Sequence, residues 1–474
     1  MDTNPPDVPL ERPSWLAAFE KADGPLYLAI ADAIAAAVAT GELQENTRLP
    51  PQRVLAKQLG IDFTTVTRAY SEAQRRGIVS GKVGQGTFVR HAPVSVPNLP
   101  ANAPVSGVVD LSPTCPPAFD DPTLSTRLWR GIAALEEADG LDLLLRYQPA
   151  GGTARDRAAG QAWLSRRLPG LAAERVLIAP GAQGAMLAIV SALATAGDTV
   201  LTEALTDSGF RMLSGHLRLR LRGLAQDSEG LDPDAFDAAC REGTPKLLYC
   251  APTLHNPTTV TMTVARREAL VAVARKHGVP IIEDDSYGML PVNAPPPLAT
   301  LAPEMTYCLG GLARGLSPAL RVTYLAVPDA RSAGRVAGAI RATATMSSPL
   351  TSAIATHWIE DGTIDRLLSA VREETRARNA MVAHLLPAET LSMAPEAPHV
   401  WLTLPTPWTR AEFTSRLSAA GVAVAASDVF AVGQPPEAFR IGLGGPPTRA
   451  TLADALHKVA DLLDQYPDLP ATTT

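Results

Sequence analysis

Along the first ninety residues apolar side chains recur with helical spacing. Tyr27, Ile30, Ile34 and Val38 are spaced by three and four, Pro25 stands where a first helical turn tolerates it, and Gly41 follows, so residues 25–40 are predicted to form an amphipathic helix. A second helix is expected after Leu49-Pro50-Pro51, burying Val54, Leu55 and Leu59 and stopping at Gly60. A third begins near Asp62 or Thr64, whose oxygens can cap it, and packs Val66, Tyr70 and Ala73 before Gly77. Ile78-Val79 and Thr87-Phe88-Val89 flank Gly84-Gln85-Gly86, the pattern of two short strands joined by a glycine turn. Three helices and such a ribbon predict a winged helix-turn-helix.

That rhythm ends near residue 91. The stretch HAPVSVPNLPANAPVSGV, residues 91–108, holds four prolines, no acidic residue and no periodicity, as expected of an extended linker. We therefore expect a head over 15–91, a linker over 92–108 and a body over 109–466. In the body, short β-rich runs alternate with helical stretches: VLIAP from 176, TVLTE from 199, LLYCAP from 247, PIIEDD from 280, TYCLG from 306 and RVTYLAVP from 321. Strands separated by helices predict βαβ crossovers and a mainly parallel central sheet, and the mixed pattern beyond about 330 predicts a smaller C-terminal α+β lobe. The expected class is α/β.

Composition narrows the possibilities. At 474 residues the chain is too long for one ordinary core, and about 150 residues per domain implies two or three folding units. A content of 46% hydrophobic and 19% charged residues excludes wholesale disorder and fibrous classes. The longest apolar run, LYLAIADAIAAAVATG, is interrupted by Asp32 and is too short to span a bilayer, so no membrane partner is expected. The opening MDTNPPDVPLERPSW has neither the basic nor the apolar region of a secretory signal. Cys115, Cys240, Cys250 and Cys308 form no CxxC pair, so neither a disulfide framework nor a zinc site is expected, and the chain reads as cytoplasmic. The net charge of −6 conceals an asymmetry, because residues 40–92 carry a net +4. Such a basic segment is either a solvated face or a nucleic-acid footprint.

The stretch TRLPPQRVLAKQLGIDFTTVTRAYSEAQRRGIVSGKVGQGTFV resembles the winged helix of GntR-type bacterial repressors. The resemblance implies binding to double-stranded operator DNA, with Arg53 on the second helix, Thr64, Thr65, Thr67 and Arg68 on the exposed half of the third, and Lys82 and Gln85 on the wing. The body resembles fold-type I aminotransferases that use pyridoxal phosphate, and the two together are similar to the MocR family of regulators. In APGAQGAM, Gly181, Ala182 and Gln183 match the turn that holds the cofactor phosphate on backbone N–H groups. Asn256 in LHNPTT matches the asparagine on the cofactor's phenolic oxygen, Asp284 in IIEDDSYGML the carboxylate on its ring nitrogen, and Tyr287 the tyrosine that shares the phenolic oxygen. Arg321 matches the phosphate-binding arginine, Arg440 in FRIGLGG the arginine that receives a substrate carboxylate, and Tyr147 in RYQPAGG a tyrosine given to the partner subunit's phosphate site. A homodimer is implied.

The departure falls on the chemistry. In the family a Ser-Lys pair precedes the phosphate arginine by seven residues, whereas here GGLARGLSPALR puts Ala313 and Arg314 in those places. None of Lys21, Lys57, Lys82, Lys246, Lys276 and Lys458 stands in motif order to replace that lysine. A guanidinium stays protonated and cannot form the imine, so no catalytic residue is assigned. Asp207 in EALTDSGF also replaces the aromatic that stacks on the cofactor ring. Three readings follow: a regulator whose body senses a small anionic ligand or amino acid without catalysis, with pyridoxal phosphate bound noncovalently or absent; a true aminotransferase with a DNA-binding head; or a body kept for dimerisation alone. In the cleft, Arg314 is expected either to meet a ligand anion or to sit against Asp284 and Asp207.

Overall fold

The structure, a computed structural model, describes residues 15, 25–39, 42–44, 46–76, 78–82, 86–89, 107–140 and 142–465. Two compact units divide the chain at Leu99 and Pro100. Most of the expected linker, residues 92–106, lies outside the described residues.

In the first unit, helix α1 spans Leu26–Ala39, α2 Gln52–Leu59 and α3 Phe63–Arg75, followed by antiparallel strands β1 (Val79–Lys82) and β2 (Gly86–Val89). Helix α2 ends because Gly60 turns left-handed, with φ of 65°. Two residues later Asp62 caps α3 by accepting the Thr64 N–H at 2.8 Å. The apolar stripe of α1, Ile30 and Ile34, packs on Val66, Ala69 and Tyr70 of α3, and Tyr70 donates its hydroxyl to the Pro50 carbonyl at 2.8 Å. Leu55 and Ala56 are the buried residues of α2; Val54 and Leu59, expected in the core, are only half-buried, because so short a helix turns just one narrow face inward. Full burial of Leu55 or Ile30 contributes about 1.5–3 kcal/mol each, which lets this small unit hold its own core.

The second unit is built on a seven-stranded sheet. Its strands are β3 (Val176–Ala179), β4 (Thr199–Glu203), β5 (Arg220–Leu224), β6 (Leu247–Cys250), β7 (Ile281–Asp284), β8 (Thr306–Gly311) and β9 (Thr323–Ala326). They lie in the order β3-β9-β8-β7-β6-β4-β5, with only β9 running against the rest. Helices α4 (Gly181–Leu193) and α5 (Ser208–His216) leave the carboxyl ends of β3 and β4. A long helix, α6 (Thr363–Leu385), precedes an antiparallel sheet of β10 (Leu391–Ser392), β11 (His399–Thr403), β12 (Ala425–Ala426) and β13 (Ala438–Gly442). Val400, Phe439 and Ile441 of that sheet share a core with Leu452 and Leu456 of α7 (Arg449–Leu463). Val109–Asp110 pairs with Val422–Ala423, which brings the following Ser112 to the same lobe. Parallel strands end together and their loops diverge, so the carboxyl edge of the large sheet is where a cleft forms. No helix of the described residues is long and apolar enough to cross a membrane.

Candidate functional site

Three loops leaving that edge meet at Asp207, its own after β4 and those of Asn256 after β6 and Arg314 after β8. Its Oδ1 accepts the Gly209 and Phe210 N–H groups at 2.9 and 3.1 Å, capping α5, and its Oδ2 accepts Asn256 Nδ2 at 2.8 Å and Arg314 Nη2 at 2.7 Å. Asp207 is buried, while Arg314 keeps 23% of its side chain exposed. Burial alone raises a carboxyl's pKa; here the Arg314 charge and these hydrogen bonds outweigh it and hold Asp207 below the usual carboxylate range. Burial likewise pulls on Arg314, and Asp207 chiefly, with Tyr287 and Asp284, drives its guanidinium well above its ordinary value. Both groups are charged at neutral pH.

The chain of contacts continues. Asn256 accepts Arg440 Nη1 on its Oδ1 at 2.5 Å, and Arg440 Nη2 donates to the Ser112 carbonyl at 2.6 Å. The Arg440 guanidinium lies 4.6 Å from the Phe430 ring centre, and burial pulls its pKa down to about 10. Asp284, at the end of β7, accepts the Tyr249 hydroxyl at 2.9 Å and both the N–H and hydroxyl of Ser286. The Tyr249 ring stacks on Phe210 with centres 3.8 Å apart. Two donors remain unused and buried: the Tyr287 hydroxyl and Arg440 Nε have no partner among the described residues. Tyr287 lies near Arg314, whose guanidinium is 5.9 Å from its ring.

At the other end of the cleft, Gly181 begins α4 with φ of 76°, and its N-cap, Pro180, offers no side-chain acceptor. The first-turn N–H groups of Gly181, Ala182 and Gln183 have no helical partner, as at any helix start, and point outward as an anion cradle. A Cβ on Gly181 would lie 3.5 Å from the Arg321 guanidinium, so that cation covers the cradle. The Gln183 amide packs against Gly209, beside the Asp207 cap. The cleft thus brings together Gly181, Ala182, Gln183, Asn256, Asp284, Tyr287, Arg321, Arg314 and Arg440. It does not include Tyr147, which is 85% exposed.

These residues fit pyridoxal phosphate at one end only. The cradle and Arg321 suit a phosphate, but the amide hydrogen of Asn256 that the cofactor's phenolic oxygen would take is held by Asp207. Among the described residues of the second unit no lysine stands in the cleft: Lys246 precedes β6 at its amino end, Lys276 is bonded to Asp237 at 2.7 Å, and Lys458 to the Ala420 carbonyl at 2.9 Å. The described residues of the cleft can hold an anion, and they place Arg314 where the family has its imine-forming lysine. Sequence reasoning did not reach Tyr249, Ser286, Phe210 or Ser112; only Tyr249 left a signal, as the single hydroxyl-bearing side chain in the otherwise apolar run LLYCAP.

In the first unit the exposed stripe of α3 carries Phe63, Thr64 and Arg68. Arg53 is exposed on α2, its guanidinium 5.8 Å from the Phe63 ring centre, and Arg68 lies 4.2 Å from that of Tyr27. Thr64 bonds its hydroxyl to Asp62. Thr65 is half-buried, and so is Thr67, contrary to the exposed placement expected: its hydroxyl lies 3.0 Å from Gln52 Oε1 and from the Phe63 carbonyl, tying α3 to α2. Lys82 closes β1, and Gln85 lies outside the described residues.

Residues 130–459 match the family described as aminotransferase class I and II, and residues 26–89 the bacterial regulatory proteins of the gntR family. The chain is 28% identical to the HTH-type transcriptional regulator YdeF of Bacillus subtilis over 95% of its length and 97% of that protein's. It is 27% identical to the vitamin B6 salvage pathway transcriptional repressor PtsJ of Salmonella typhimurium, over 89% of this chain and 95% of the other. Among solved structures, the α-aminoadipate aminotransferase LysN of Thermus thermophilus, complexed with a phosphopyridoxyl-leucine, superposes with a TM-score of 0.67 at 22% identity over 76% of this chain and 92% of its own. That likeness shows the fold.

Proposed function

The chain belongs to the aminotransferase class I and II family and carries a gntR-family winged helix ahead of it, a MocR-type transcriptional regulator, and from that premise we propose that its body senses a small anionic metabolite and performs no transamination. In this reading residues 15–91 bind DNA, 92–108 tether the head, and 109–466 receive the ligand and dimerise. The observation that carries it is the ion pair of Arg314 with Asp207. Transamination needs a neutral primary amine that can attack an aldehyde and later shuttle a proton. A guanidinium held charged by a buried aspartate does neither.

What remains is recognition. An acceptor-rich ligand would find the α4 cradle and Arg321 at one end and the unused Arg440 Nε and Tyr287 hydroxyl at the other. Pyridoxal phosphate held noncovalently, or its amino-acid adduct, is one candidate of that class, and the similarity to PtsJ, a vitamin B6 salvage pathway repressor, favours including it. Ligand and operator must then be linked reciprocally: whatever factor the ligand imposes on DNA affinity, DNA imposes on the ligand, typically 5- to 150-fold. Tyr147, exposed in the single chain, is the residue we assign to the second subunit's cradle.

The test is to incubate the full-length protein with pyridoxal phosphate, reduce with borohydride and map adducts by mass spectrometry, alongside amino-donor assays. The expected result is no stoichiometric lysine adduct and no transamination. One modified lysine per body, or turnover of any amino acid, overturns the proposal.

A further inference from the structure

The head carries one residue that the basic footprint does not explain. Phe63 is the first residue of α3 and is 42% exposed, whereas Val66, Ala69, Tyr70 and Ala73 of the same helix are buried in the core. A large apolar side chain at that place gains little for the fold. It stands on the exposed stripe with Thr64 and Arg68, in the first turn of the helix that a winged helix-turn-helix inserts into the major groove, where recognition-helix residues meet base edges. One of its faces is already occupied, since the Arg53 guanidinium lies 5.8 Å from the ring centre. Its uncovered edge opens on a cleft of about 330 Å³ bordered by Arg48, Arg53, Gly86 and Thr87, which runs from the helix start to the wing. Arg48 and Arg53 form no ion pair among the described residues, so the ring is framed by cations available to phosphates.

Base edges in the major groove present hydrogen-bond donors, acceptors and a single apolar feature, the C5 methyl of thymine. A phenyl ring has no polar atom with which to read anything else. We propose that Phe63 is a specificity-determining residue of the head: it packs against a thymine methyl in each operator half-site, with Arg53 stacked behind it fixing the ring. This rests on the DNA-binding reading of the head and adds to it one base that must be thymine.

The experiment begins with full-length protein and a pool of randomised duplexes, from which bound sequences are enriched. In the best duplex each thymine is then replaced singly by deoxyuridine, which removes the methyl and leaves the base pairing intact. At one position per half-site the substitution should weaken binding about fourfold, the transfer value of one buried methyl. Phe63→Ala should weaken binding to the thymine duplex and erase the difference between thymine and uracil there. Phe63 is exposed, so the variant should keep its circular dichroism spectrum; Phe63→Leu, apolar without a stacking face, should retain part of the methyl preference. If no duplex is enriched, the DNA-binding reading fails and this proposal fails with it. If a duplex binds but no uracil substitution weakens it, or Phe63→Ala still distinguishes thymine from uracil as wild type does, only the role of Phe63 is overturned.

Discussion

The two recognition surfaces of this chain hold their polar groups in opposite states. On the head, Arg53 and Arg48 are exposed and unpaired among the described residues, so a duplex meets donors that need only shed water. In the body the corresponding groups are bonded to one another, Arg314 to Asp207, Asp207 to Asn256 and Asn256 to Arg440. A group that reaches Arg314 has to exchange bonds, whereas Arg440 Nε and the Tyr287 hydroxyl stand open beside it. An unspent surface suits a partner sought by charge and diffusion, whereas a cleft whose charged groups are mostly bonded to one another favours a ligand whose acceptors replace the bonds it displaces.

The sharpest way to break this contrast is to unpair the cleft. Asp207→Ala removes the partner of Arg314 and the cap of α5 together, and losing one member of a buried pair costs about 3–5 kcal/mol. Urea denaturation followed by a body tryptophan should show a lowered midpoint, with the head's affinity for DNA unchanged in native buffer; an unaltered midpoint would mean that the pair contributes nothing net.

Next in size is a pH effect confined to the body. Burial pushes the Glu203 carboxyl up to about 7 from 4.5. The folded state therefore holds this proton where the unfolded chain has lost it, and stability falls as pH rises from about 4.5 to about 7, by an amount on the order of 3 kcal/mol. Glu203→Gln should gain on wild type at pH 8 relative to pH 5. Equal differences at both pH values would place the carboxyl outside this role.

The smallest expected effect is on the head. Arg53→Ala should weaken operator binding by about 1–3 kcal/mol if the guanidinium reads a base, or reduce the slope of log affinity against log salt by about 1 if it touches phosphate. Binding with neither change removes Arg53 from the interface. A body stability altered by this variant would undo the separation drawn between the two surfaces.

How much of this was legible in the chain differed between the same two regions. The head's helices follow local signals, an apolar period with Gly60 and Asp62 as punctuation, and the folded bounds fall within about two residues of those expected. Six body strands stand where apolar runs predicted them. The seventh, Arg220–Leu224, escaped because two of its five residues are arginines and only Leu224 is buried, so no apolar run marks it, unlike Val176–Ala179 at the sheet's other edge, which is buried throughout. Arg314 and Asp207 were visible as departures from the family motifs, and their meeting was one of two arrangements open to Arg314. Choosing between them needed the loops, which bring together residues far apart in the chain, as with the Ser112 carbonyl on Arg440. Contacts of that range leave no periodicity to read.

The place of β9 also governs timing. Strand β3 pairs in the sheet with β9 alone, and at a synthesis rate of 5–20 residues per second the roughly 145 residues between them take about 7–30 seconds to leave the ribosome. Until then the turn that opens α4 has no completed sheet behind it. The helices and strands of residues 26–89 have long since emerged, so each nascent chain passes through an interval in which the winged helix is whole and the sheet that carries the cleft is not.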